Sequence, residues 1–399
     1  MYFYGGITLK RTFFRNYGTF IFVTLIFWFS GYVYMPVLTP FVESLGGSLK
    51  MVGLVIGSYG FTQMVLRIPL GIYSDWISKR KVFVILGVAL SGLSALGLGL
   101  ASNPWFALLF RSLAGAAAAT WVVFTVLFSS YFTIADLPRA MGIIMFFNKL
   151  GQMSGTLIGG FISDLFGQRA PFIVGGIVGV LGLLLSFRIK EQEFTRPRMN
   201  INDLVNVGKD ALLIKVSILA IIVQAISFST TFGFTPSYAV NIGASDMQLS
   251  TLMFIASLSA ALSSLVSGNL AQTLGEKRLI VYSFIASGIA AGMIPFSGNI
   301  LMLYLTQLIL GVANGLCFPL LMGMSIKTID QSKRSTAMGF FQAIYGLGMF
   351  AGPVIVGIIA DTLGLSIGFY SVGLIALFGA VFGYLTINSS QVQDRGLSV

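Results

Sequence analysis

Three basic residues stand in stretches that otherwise carry no charge: Arg67 in "MVLRIPLG", Arg111 in "LLFRSLAGAAAA" and Lys149 in "MFFNKLGQM". A cation is costly in hydrocarbon, so each is expected to face a cavity or a polar partner and to mark the path of an anion, a proton or a polar solute. Lys149 has Asn148 and Gln152 beside it, a set of donors suited to an anionic group. A lysine that snorkels to the interface or bonds a carbonyl would read the same way. Arg67 lies four residues before Gly71 and fits a gate, or an acid on the same membrane face, better than a solute. Acids behave differently. Glu43, Asp164 and Asp361 lie near the ends of apolar runs, and none lies deep within one. A carrier of organic cations needs a carboxylate in its cavity to pair the cargo and exchange the proton. Basic groups without acids favour anionic, zwitterionic or neutral amphipathic cargo.

The chemistry of covalent catalysis is missing. There is no histidine, the single cysteine, Cys317, lies in an apolar segment, and no paired carboxylates or nucleotide-binding loop occur. That removes disulfides, Cys/His zinc sites and triads that need imidazole. The chain is therefore expected to have no catalytic residues, no metal and no cofactor. "GGIVGVLG" from Gly175 is glycine-rich but sits inside an apolar run with no strand before it, so it reads as packing.

The elements that must position these residues follow from composition. Of 399 residues 56% are apolar and 9% charged, and mean hydropathy is +0.90. A soluble domain would carry about a quarter charged residues. The main solvent is thus lipid, and the spanning elements are helices, which satisfy their own backbone polar groups. A hydrocarbon core of about 30 Å needs about 20 helical residues. Twelve such runs occur, centred near Phe29, Thr62, Ser91, Ala117, Gly151, Gly179, Ser227, Ala260, Ser287, Val312, Gly348 and Leu377. The first is too long for a signal-peptide core and no small-x-small cleavage site follows it, so it reads as a retained helix. A long polar break separates the sixth from the seventh. The expected fold is an all-α membrane protein with an N-terminal six-helix half over residues 1–188, a central loop over 189–215 and a C-terminal half over 216–399.

Sidedness follows from lysine and arginine. Nineteen of the 24 fall in loops on the side of the termini, Lys50 and Arg169 fall on the other, and three lie inside spans. Both termini are expected in the cytoplasm. The net charge of +11 marks sidedness and calls for no nucleic-acid partner.

The stretch "GIYSDWISKRK" from Gly71 belongs to a repeat. Gly-x-x-x-Asp-x-x-small recurs as "GFISDLFG" at Gly160, as "GNLAQTLG" at Gly268 with glutamine for aspartate, and as "GIIADTLG" at Gly357. Copies are 89 residues apart within each half and 197 apart between halves. Each copy closes the second helix of a three-helix unit, and neighbouring units have opposite topology. Such nested symmetry belongs to alternating-access carriers with a midplane site between the halves.

Here the chain resembles the major facilitator superfamily, in its bacterial twelve-span form, over essentially its whole length. The family's loop signature after span 2 appears as Gly71, Asp75, Lys79, Arg80 and Lys81, with Trp76 and Ser78 where arginine and glycine are usual. The resemblance implies two six-helix bundles, each an inverted pair of three-helix repeats. It also implies a cytoplasmic latch in which Asp75 faces a helix N-terminus of the other half, around Ser335 to Gly339, with Lys79 or Arg80 supplying the missing charge. Gly71, Arg67, Gly268, Gly275, Lys277 and Arg278 are the remaining expected gating residues. "RSLAGAAAA" resembles the family's fourth-span signature, whose arginine serves coupling. "GQMSGTLIGG" in span 5 resembles the glycine-rich signature of exporters, although Thr156 stands at its proline; span 11 has Pro353 in "GMFAGPVIVG". Close helix packing explains the same glycines.

The family's cavity is lined by spans 1, 4, 7 and 10. This adds Trp28 and Tyr32, then Gln224, Phe228 and Thr231, then Gln307 and Asn314 as expected solute contacts, unless they serve helix packing. Pro36, Pro40 and Pro236 are expected to allow bending. The function expected is secondary active transport of a small organic solute, as a monomer in the cell membrane, by export with proton exchange. The alternatives are uptake of an organic anion, or a lipid-handling protein or membrane enzyme. A channel fits the nested repeat less well.

Overall fold

The computed structural model describes residues 5–77, 79–133, 136–191, 206–330 and 333–387, with side chains from Tyr17 onward. The side chains of Asp75, Pro138 and Ser335 are outside the described residues, as are Ser78, Arg196, Arg198 and Arg395. All twelve expected spans are helical, and each expected centre falls inside its helix. Spans 1 to 6 are Gly5–Tyr32 continued by Met35–Ser44, Leu49–Ile77, Arg80–Gly99, Pro104–Ala119 continued by Trp121–Ser129, Leu137–Phe166 and Ala170–Ser186. Spans 7 to 12 are Ala211–Ser229 continued to Asn241, Asp246–Leu274, Glu276–Met293, Ile300–Met324, Arg334–Leu363 and Leu365–Thr386. Span 7 starts at Ala211, capped by the Asp210 carboxylate, which accepts from Leu213 N–H at 2.8 Å; Lys215 is therefore in the helix. Among the described residues, ten of these segments are long and apolar enough to cross a bilayer, and span 6 is a shorter apolar helix.

The repeat has a local physical cause. In every copy the motif glycine precedes the last helical residue by six: Gly71 before Ile77, Gly160 before Phe166, Gly268 before Leu274, Gly357 before Leu363. The motif's small residue is then the residue that stops the helix. Gly167, Gly275 and Gly364 hold that place at φ of 84, 87 and 94°. A side chain there would strain the backbone, whereas glycine ends the helix at little cost. Gly275, expected as a gating residue, is thus a helix stop between spans 8 and 9.

The 197-residue shift also relates irregularities. Span 1 breaks at Val33 and Tyr34, and span 7 enters a π-helical turn, Thr230–Phe234, at the equivalent place. In each case a proline follows within a few residues, Pro36 and Pro236, and removes a backbone donor. Packing repeats as well. Spans 1 and 5, 2 and 4, and 3 and 6 pair in the first half; 7 and 11, 8 and 10, and 9 and 12 pair in the second. The halves meet through spans 2 with 11 and 5 with 8.

That seam is tight on one face only. We call the face carrying the termini the terminal face and the other the distal face. Distally, a Cβ on Gly53 would lie 2.2 Å from the Pro353 carbonyl oxygen, and one on Gly160 2.5 Å from that of Asp246. Only glycine lets backbones approach so closely. Toward the terminal face, a Cβ on Gly142 or Gly268 would meet nothing within 4 Å. There span 2 carries an apolar groove of about 770 Å³ lined by Leu66, Pro69, Leu70, Tyr73 and Trp76, with no span 11 residue in its wall among the described residues.

Candidate functional site

Arg111 sits in the middle of the N-terminal half. Span 4 starts at Asn103, whose carboxamide oxygen accepts from Trp105 and Phe106 N–H at 3.0 and 3.1 Å. That cap sets the helix register and turns Arg111 inward, where it is 3% exposed. Its guanidinium donates to the Tyr34 hydroxyl at 3.2 Å and lies 4.4 Å from the centre of the Tyr59 ring. Among the described residues no carboxylate pairs with it, and its Nε has no hydrogen-bond partner in the protein. Charge on a buried arginine is partly met by the negative face of an aromatic ring, worth about 2 kcal/mol when desolvated. That leaves a cation able to take an anion or an oxygen acceptor.

An aromatic layer surrounds it. Trp28 meets Trp121 edge to face at 5.2 Å and lies 5.8 Å from Tyr32. Tyr32 meets Phe232, and Tyr59 stacks on Phe228 at 6.1 Å, so rings of spans 1 and 2 touch rings of span 7 across the seam. Trp28 Nε1 is a second buried donor without a partner. The cavity among Trp28, Tyr32, Tyr59 and Ala114 is only about 20 Å³, room for one water. An organic solute enters this layer only when rings or halves move.

The second-half residues are arranged differently. Thr231 donates to the Gln307 side-chain oxygen at 2.8 Å, and Asn314 donates to the Ser227 hydroxyl at 2.8 Å. Both pairs join span 7 to span 10. Gln307 keeps one buried donor, Nε2, without a partner. Gln224 is partly exposed. On span 5, Gln152 donates to Asn148 at 2.9 Å, and exposed Lys149 donates to Gln152 at 3.3 Å.

At the seam, Arg67 is 5% exposed and donates to the Tyr345 hydroxyl of span 11 at 3.4 Å, so its partner is a phenol of the other half. Lys277 lies over the Tyr384 ring, 4.4 Å from its centre, within its own half. Lys79 and Arg278 are exposed and Arg80 is buried. Gly71 has only Val122 near the position of a Cβ. The expected latch of Asp75 on span 11 falls on a side chain outside the described residues.

The distal face shows the interaction that was expected at Asp75, made by another copy of the motif. The Asp164 carboxylate accepts from the backbone N–H of Asp246 and Met247 at 3.0 and 3.1 Å, at the first turn of span 8. Ser163 donates to the Asp246 carboxylate at 2.5 Å. An acid at a helix N-terminus satisfies orphan donors and the helix dipole together. Sequence reasoning noted Asp164 only as an acid at a helix end. The repeat itself held the signal, since Asp164 occupies the position of Asp75. Tyr34 and Tyr59 were missed because nothing local ties them to Arg111.

The sequence profile of the Major Facilitator Superfamily matches residues 20–207 and 217–397. Among curated relatives, an MFS-type transporter of Methanocaldococcus jannaschii is 24% identical over 88% of this chain and 93% of the relative. The multi-drug resistance efflux pump PmrA of Streptococcus pneumoniae is 24% identical over 88% of this chain and 90% of the pump. A probable sugar efflux transporter of Helicobacter pylori is 24% identical over 94% and 95%. Among solved structures, a bacterial homologue of the human lysosomal transporter Spinster, inward-facing and occupied, superposes with a TM-score of 0.79. It is 16% identical, covering 94% of this chain and 97% of that one. The nucleoside transporter NupG gives 0.70 at 15% identity, over 92% and 96%. These likenesses, with the twelve helices and the nested repeat, place the chain among integral membrane transporters: it belongs to the Major Facilitator Superfamily.

Proposed function

We propose that this transporter is a secondary active exporter of a small organic solute with apolar surface and an anionic or oxygen-rich polar end. The observation that carries the reading is Arg111, a buried cation with no carboxylate partner among the described residues, held against the rings of Tyr34 and Tyr59, the second of which stacks on Phe228 of the other half. The other unpartnered side-chain groups of this layer, Trp28 Nε1 and Gln307 Nε2, are also donors, which suits cargo that presents acceptors. Efflux pumps among the relatives support the outward direction. We place the chain in the cell membrane with both termini cytoplasmic, on the positive-inside distribution of lysine and arginine. The terminal face is then the inner one, and the structure corresponds to the inward-facing half of an alternating cycle. Trp28, Tyr32, Phe228 and Arg111 form the solute site in this reading, with Gln224, Thr231, Gln307 and Asn314 opposite and Lys149, Asn148 and Gln152 on the approach. Uptake of an organic anion uses the same site with the direction reversed.

The test is thermal stabilisation of the purified protein by organic anions, cations and neutral amphiphiles, beside Arg111→Lys. A ligand of the native state stabilises it by mass action, by about 2.7 kcal/mol at a hundredfold excess over Kd, and so raises Tm. Anions are expected to stabilise the wild type, and most of that effect is expected to disappear in Arg111→Lys, which lacks the planar fork. Equal stabilisation of both proteins by lipophilic cations would overturn the basic site.

A further inference from the structure

One helix face of span 5 runs from a closed seam to an open one. Gly160 and Gly142 are 18 residues apart, five helical turns, so they share a face. Gly160 meets the Ser250 side chain and the Asp246 carbonyl of span 8, whereas Gly142 has nothing within 4 Å. Span 8 mirrors this. Ser250 and Gly268 are also 18 residues apart, and Gly268 likewise has nothing within 4 Å. The two spans therefore diverge toward the terminal face and leave a cleft between the halves.

Lys149 stands in that cleft. It lies 11 residues before Gly160, about three turns, so it shares the seam face. Its position is 12 residues after Leu137 in a 30-residue helix, roughly 18 Å from that end at 1.5 Å per residue. The side chain is exposed, and among the described residues its ammonium donates only to Gln152 and pairs with no carboxylate. Opposite, the seam face of span 8 carries Ser257, Ala261 and Ser264, small residues without charge. To one side, about 40 and 80° around span 5 at 100° per residue, are Phe146 and Leu150, 61 and 40% exposed. A lone cation near mid-membrane thus borders both an opening between the halves and an apolar outer surface. A soluble anion would gain nothing from the apolar border, and a neutral chain nothing from the cation; one molecule uses both.

We propose that Lys149 marks an entry site for a single-chain anionic amphiphile, which slides its head group into the cleft between spans 5 and 8 while its chain lies against Phe146 and Leu150. The inference rests on the reading of the chain as a carrier of amphipathic solutes and adds the class and the route. The test uses the full chain in nanodiscs and radiolabelled laurate, with Lys149→Gln and Lys149→Arg. Saturable binding to the wild type is expected, weakened at least tenfold in Lys149→Gln and kept within about threefold in Lys149→Arg, which also shows that the position tolerates substitution. Acetate and dodecanol are expected not to displace laurate. Unchanged affinity in Lys149→Gln, no saturable binding, or displacement by acetate (a free-anion site) or by dodecanol (a chain site) would each overturn the proposal. If laurate binding ignores Lys149 while soluble anions still need Arg111, this route fails and the central site stands.

Discussion

A guanidinium buried against two tyrosines, with no acid beside it among the described residues, is an expensive arrangement to retain for stability alone. Burying an unpaired charge costs several kcal/mol, and apolar replacements of buried ionic groups are often neutral or stabilising. Arg111→Met, which keeps most of the side-chain volume, is therefore expected to leave Tm unchanged or raise it, while transport and solute-induced stabilisation are lost. A fall in Tm of more than about 5 °C would instead make Arg111 a structural residue, held by its contacts with Tyr34 and Tyr59. The polar pairs of spans 7 and 10 differ in kind. Thr231 bonds Gln307 and Asn314 bonds Ser227, so their first effect is to hold two helices together, and Gln307 keeps a buried donor, Nε2, left over.

At the scale of elements, helix ends carry the device that differs between the two faces. Span 8 has its own N-cap in Ser245, and Asp164 of the opposite half accepts from the first two helical N–H groups, a carboxylate at a helix N-terminus being worth up to about 2 kcal/mol when partly buried. Its loss acts on the distally closed state alone, because the bond spans the seam. One or two kcal/mol shifts a two-state population by roughly five- to thirtyfold. Asp164→Ala is accordingly expected to raise the labelling rate of Ser250→Cys, which is buried against Gly160 in the closed seam, by about that factor. An unchanged rate, measured with a membrane-impermeant thiol reagent in a Cys317→Ser background, would show that glycine packing alone keeps this face shut. The two distal motif glycines, Gly160 and Gly357, contribute through shape, since backbone carbonyls of Asp246 and Leu49 approach the place of their missing side chains.

For the molecule as a whole, the 197-residue shift relates helix stops, helix breaks and pairings. The 89-residue shift within the first half makes the distal latch at Asp164 a guide to the terminal face, where Asp75 holds the equivalent place in the first copy of the motif. The topology has a direct check. In a Cys317→Ser background, Lys79→Cys is expected to label from the cytoplasm and Glu43→Cys from outside, in intact cells with impermeant reagent. Labelling of both from one side would break the twelve-span arrangement.

Span number, span centres and the motif repeat were legible in the sequence, because each rests on local physics. Lipid demands about 20 apolar residues per helix, and a helix stop demands glycine where φ is positive. The intramembrane cations were legible too, since a charge in an apolar run stands out whatever surrounds it. What surrounds it was not. That Tyr34 and Tyr59 enclose Arg111, that Arg67 reaches a phenol of the other half, and that Asp164 engages a helix end depend on residues 52 to 278 positions apart. Which face of the seam is closed was also beyond the sequence. The four motif copies permit closure on either side, and only the packing of one half against the other selects between them.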